Sequence, residues 1–88
     1  MSLDHLGDVP LYQQLANILR EQIESGEIPP RRPVPSKKTL VQTYDVAPGT
    51  VERALAILKS EGLLKTVMGR GLYVVPEDER RPRGRSSA

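Results

Sequence analysis

Apolar residues recur along the chain with two periods. Leu11, Leu15, Ile18, Leu19 and Ile23 fall at i, i+4, i+7, i+8 and i+12, one side of an α-helix. Gln13, Gln14, Asn17, Glu21 and Glu24 fill its other sides. Pro10 suits the first position of that helix, where proline's missing N–H costs nothing, and Asp8 stands where a cap would. Ser25-Gly26 ends it. A shorter helix opens at Ser36, a hydroxyl suited to capping, with Leu40, Val41 and Tyr44 as its apolar positions. A tight turn at Tyr44-Asp45-Val46-Ala47 leads to a third helix from Pro48 to about Glu61. There Val51, Ala54, Leu55 and Leu58 lie at i, i+3, i+4 and i+7, and Ile57 extends the stripe. Ala47 before it is a poor cap. Beyond Gly62 the pattern changes to short β-rich runs, Leu64-Lys65-Thr66-Val67 and Leu72-Tyr73-Val74-Val75. Met68-Gly69-Arg70-Gly71 between them supplies the glycines of a tight hairpin.

The elements in this order predict a mainly α fold with a small β-wing. It is a winged helix-turn-helix: three helices plus a two-stranded antiparallel hairpin. Pro29, Pro30 and Pro33 make residues 28–34 a stiff extended connector, holding at most a short edge strand. On an extended backbone Arg31 and Arg32 point in opposite directions. One of them reaches a phosphate, or the two form a solubilising pair on a turn. Residues 1–8 read as a flexible leader, 9–75 as the domain and 76–88 as a disordered charged tail. The chain of 88 residues has room for one small domain with a marginal core. A second subunit or a bound ligand adds stability to such a core by mass action.

Composition narrows the chemistry. With no cysteine, neither disulfides nor a cysteine-based zinc site is available. The lone His5 in a polar segment reads as solvated rather than as a ligand. No Ser/His/Asp set, phosphate-cradling glycine loop or metal-ligand spacing is present, so neither an enzyme nor a cofactor is expected. No apolar run approaches the ~20 residues that span a bilayer. Met1 is followed by Asp4, His5 and Asp8 rather than by a signal pattern. A cytoplasmic location away from membranes is the expectation.

The net charge of +2 conceals a segregation. Residues 1–30 carry one arginine against five carboxylates. Residues 31–75 carry eight lysines and arginines against three carboxylates. Positive charge therefore gathers on the second and third helices and the wing, as on a face that meets phosphates. Lys37 and Lys38 sit at the helix end where the dipole disfavours cations, which also suggests an anionic partner. A helix-turn-helix places its second helix in a DNA major groove.

Several stretches together resemble the N-terminal domain of GntR-family transcription regulators. They are Pro10-Leu11-Tyr12-Gln13-Gln14-Leu15, Ser25-Gly26-Glu27-Ile28-Pro29-Pro30, Val34-Pro35-Ser36-Lys37-Lys38-Thr39-Leu40, Tyr44-Asp45-Val46-Ala47-Pro48-Gly49-Thr50-Val51, Ala54-Leu55, Glu61-Gly62-Leu63-Leu64 and Gly69-Arg70-Gly71. The resemblance implies a homodimer on a two-fold operator of double-stranded DNA and control of transcription. Ser36 matches a helix-capping position. Lys38 matches a DNA-touching arginine, and it lacks the bidentate fork. Pro48, Gly49 and Thr50 match the start of the recognition helix, with Thr50 retained. Glu52 falls where the family commonly has arginine; a glutamate accepts from a cytosine amine instead. Arg53, about 100° further round the helix, suits a phosphate. Gly69 and Arg70 match the wing tip, where backbone approaches DNA and an arginine enters the minor groove. The family usually adds a C-terminal domain that binds a small effector. This chain is either a short member or a domain removed from a longer protein.

The expectation is thus a sequence-specific DNA-binding regulator, acting by repression. Lys37, Lys38, Arg53, Lys59 and Arg70 are its phosphate contacts, and Thr50, Glu52 and Arg70 carry its sequence preference. The rival is a winged-helix protein-interaction module without DNA binding, using the apolar surface of the first helix or the wing.

Overall fold

The computed structural model describes residues 3–76 and Glu79. Among them the order is α1 (Leu11–Ser25), α2 (Lys37–Tyr44), α3 (Pro48–Ser60), β1 (Leu64–Val67) and β2 (Gly71–Val74). This is the expected three helices and hairpin, with β2 beginning one residue early. Helix α3 is the centre: α1, α2 and β1 all pack on it. Leu15, Leu19 and Ile23 of α1 meet Val51, Ala54, Leu55 and Leu58 of α3 in one core, joined by Leu40, Val46, Leu63, Leu64 and Val74. Ala16, outside the predicted stripe, is fully buried as well.

Helix starts follow the local chemistry with one difference. Ser36 caps α2: its Oγ accepts from Thr39 N at 3.1 Å and donates to Thr39 Oγ1 at 2.9 Å. Ala47 precedes α3 without a side-chain cap, and Pro48 takes the first helical position. In α1, however, Pro10 is itself the cap residue and Asp8 caps nothing. Pro10 has ψ 147°, an extended value, so the helix begins one residue later at Leu11.

Residues 3–5, within the segment read as a leader, are tied to the domain. Leu3 packs against the core. Asp4 N donates to Gln14 Oε1 at 2.7 Å, and Gln14 Nε2 donates to Asp4 O at 2.9 Å. His5 Nε2 donates to Asp45 O, at 3.2 Å, in the α2–α3 turn. Asp45 is there in the left-handed conformation (φ 55°), which Asp tolerates better than most residues. Of the segment read as a tail, Pro76 is buried and Glu79 pairs with Arg31, while residues 77–78 and 80–88, with their four arginines, lie outside the described residues.

The hairpin pairs Leu64 with Val74, Lys65 with Tyr73, Thr66 with Leu72 and Val67 with Gly71. The connector adds a partial third strand. Pro33 bridges Tyr73, Val34 N donates to Leu72 O at 3.1 Å, and Val74 N donates to Arg32 O at 3.0 Å. The fully extended course expected for the connector fails at Arg31, whose φ is 64°. A turn after the two prolines breaks the alternation, and Arg31 Nη2 bonds Glu79 Oε2 at 3.0 Å.

Helix α1 is locked to the end of α3 by charge as well as by packing. Arg20 presents Nε and Nη2 to the two carboxylate oxygens of Glu61, at 2.8 and 2.6 Å, and Nη1 to Asn17 Oδ1 at 2.7 Å. The bond to Glu61 raises the Arg20 guanidinium pKa above its ordinary value, against the opposing effect of partial burial. No helix among the described residues is long and apolar enough to cross a membrane.

Candidate nucleic-acid interface

Because the core takes Val51, Ala54, Leu55 and Leu58, helical periodicity leaves Gly49, Glu52, Arg53, Ala56 and Lys59 exposed on the opposite side. The hairpin stands beside that side. Its strands alternate, so Thr66 and Leu72 share one face and Lys65 and Tyr73 the other. Thr66, Leu72, Gly71 and Arg70 form one wall of a cleft of about 720 Å³. Glu52, Leu55, Ala56 and Lys59 form its floor, and Pro33 to Lys37 close the third side.

The wing tip is built by backbone geometry. Arg70 N donates to Val67 O at 2.9 Å, closing a turn whose third residue is Gly69. Gly69 has φ 79°, which that turn position requires, and Gly71 follows at φ 96°. A side chain at either position would be strained, while Met68 and Arg70 remain exposed at the tip.

The structure brings five of the predicted residues into one cleft: Ser36, Lys37, Glu52, Lys59 and Arg70. Lys37 Nζ donates to Glu52 Oε2 at 2.6 Å, so the two are a pair rather than a free cation and a free anion. Lys38, Pro48, Gly49 and Gly69 are exposed but outside the cleft lining. A Cβ built on Gly49 or Gly69 would meet nothing within 4 Å, so the surface is open at both.

Two of the predicted α3 residues have neighbours on α1. Thr50 does not project freely. It is half-buried, because it shares a flank with Ala54, Ile57 and Glu61 at i+4, i+7 and i+11. That flank faces α1, as the Arg20–Glu61 bridge shows. Arg53 is exposed but not free: its guanidinium carbon lies 4.5 Å from the centroid of the Tyr12 ring on α1. The ring attracts the cation and favours that direction. Neither residue lines the cleft.

Sequence reasoning missed Thr66 and Ala56 in the cleft. Alternation along β1, read from the buried Leu64, points to Thr66. It also missed a second depression behind the wing, with Arg31, Lys65, Arg70, Tyr73 and Glu79 among its lining residues. Arg70 borders both hollows.

Comparison with known proteins gives this geometry a context. The chain is 35% identical over 84% of its length to the HTH-type transcriptional repressor NagR of Bacillus subtilis, and spans 30% of that repressor. Its structure is similar to that of AraR(DBD) in complex with operator ORE1, with 32% identity, a TM-score of 0.73, and coverage of 83% of this chain and 89% of that one. It is likewise similar to YtrA of Sulfolobus acidocaldarius, a GntR-family transcription factor, with 32% identity, a TM-score of 0.78, and coverage of 86% and 80%. Residues 11–74 match the family described as bacterial regulatory proteins, gntR family, from the start of α1 to the end of β2. With that match covering all three helices and the hairpin, the chain belongs to the gntR family of bacterial regulatory proteins.

Proposed function

We propose that the chain binds double-stranded DNA sequence-specifically and represses transcription, with α3 in the major groove and Arg70 of the wing reaching the neighbouring minor groove. The observation that carries this reading is that Glu52, Ala56 and Lys59 on the exposed side of α3 lie in one cleft with Lys37 and Arg70. A cleft with low-dielectric walls and excess positive charge focuses potential on an approaching polyanion. Lys38 and Arg53 add phosphate contacts beside the cleft. Tyr12 holds the Arg53 guanidinium in place, which lowers the entropy lost on binding. The operator complex of AraR(DBD) and the repressor name of NagR support the same assignment.

The proposal extends to a homodimer on a two-fold operator, each copy placing one α3 in one half-site. Since the chain spans less than a third of NagR, response to a small effector would belong to sequence outside the region of match. No enzymatic step or cofactor enters this reading.

A mobility shift against random duplex at low salt separates DNA binding from a protein-interaction role. Retardation that fades steeply as salt rises is expected, since each neutralised phosphate releases counterion. In the same titration Arg70→Ala should weaken binding by about tenfold or more. Unchanged affinity in that variant removes the wing from the interface, and absence of any shift removes DNA binding itself.

A further inference from the structure

Lys37 and Glu52 meet where two helices converge, the first at the start of α2 and the second in the early turns of α3. Their side chains are 49% and 59% exposed. A pair so open to water contributes about 0–1 kcal/mol, so stability does not account for it. Position does. Glu52 is the one acidic residue among the described residues lining the cleft. A bare carboxylate there would repel phosphates, and the ammonium 2.6 Å away cancels that repulsion.

The pairing also organises what each head has left. Glu52 Oε2 is taken by Lys37, while Oε1 accepts no hydrogen bond among the described residues. The ammonium has three N–H groups and spends one on the carboxylate. An acceptor and a donor therefore sit side by side on the open side of α3. In the major groove a C·G pair presents the complementary edge: the cytosine N4 amine next to guanine O6 and N7. A reversed pair puts the acceptors of guanine against the carboxylate. An A·T pair puts the thymine methyl where the ammonium needs N7.

We propose that Lys37 and Glu52 read one C·G base pair per half-site as a unit, Glu52 accepting from cytosine N4 and Lys37 donating to guanine O6 and N7. This rests on the DNA-binding reading above, and it moves Lys37 from the phosphates to a base edge. Lys37 is also the positioning residue for the Glu52 carboxylate.

Binding-site selection from random duplex tests it, using the whole chain as wild type, as Lys37→Met and as the exchanged pair Lys37→Glu/Glu52→Lys. Both sites are exposed, and matching thermal melts confirm that the variants fold. The wild type should return cytosine at one position per half-site. Lys37→Met should reduce discrimination at that position alone, by about tenfold. The exchanged pair keeps its ion pair but swaps donor and acceptor, so it should select a different base there. A pair that only braces the helices would leave the wild-type motif in that variant, and this result overturns the proposal. So does an affected base other than cytosine. Lys37→Met weakening every sequence alike, with the salt slope reduced by about one, assigns Lys37 to a phosphate and overturns it too. A wild type that selects no motif defeats the DNA-binding reading and this inference together.

Discussion

At the scale of single residues, the side chains in and beside the cleft are constrained by partners that composition does not reveal. Glu52 is held by Lys37, Arg53 lies over Tyr12, and Thr50 is half-covered on the α1 flank. Candidate residues were legible in the sequence by type and by helical position. Their partners were not, because the Lys37–Glu52 and Tyr12–Arg53 contacts join different helices, and only the packed fold sets those distances. Gly49 offers a clean test of what the protein itself demands. It sits at the second position of α3, where a Cβ would meet nothing within 4 Å. Glycine is a poor helix former, so Gly49→Ala should raise unfolding stability by up to about 1 kcal/mol, read by urea denaturation. A loss of stability would mean that the position is needed for the fold, not left open for a ligand.

At the scale of elements, the hydrophobic periods located every helix and both strands to within a residue or two. Those periods record burial, and burial on α3 dictates the outward side by subtraction. What the periods could not carry was polar coupling between elements. The Arg20–Glu61 bridge joins α1 to the end of α3 with a two-point contact, its side chains 23% and 12% exposed. Because α3 is the floor of the cleft, this bridge ties that floor to α1 alongside the core packing. Glu61→Gln keeps the shape but removes the charge that Arg20 faces. It should cost about 1–3 kcal/mol, seen as a lower denaturant midpoint with an unchanged slope. An unaltered midpoint would show that packing alone fixes the two helices. The irregular connector was the least legible element. Its prolines signalled extension, yet the left-handed Arg31 and the bonds to β2 depend on a sheet edge distant in sequence.

At the scale of the molecule, charge segregation becomes a shape. The acidic N-terminal third forms the helix on one side of α3, while the basic middle of the chain builds the cleft on the other. A small core centred on one helix suffices because that helix both carries the packing and presents the outward face. The fold explains how the face is displayed, and the proposed attraction of a polyanion rests on its cations. The most direct measurement is an amide NMR titration of the chain with a duplex recovered by selection. Perturbed resonances should gather on the exposed positions of α3 from Gly49 to Lys59, the start of α2 and the wing tip from Met68 to Gly71, while Glu21 to Gly26 stays quiet. Perturbation centred instead on the outer side of α1, with α3 and the wing unmoved, would contradict the account.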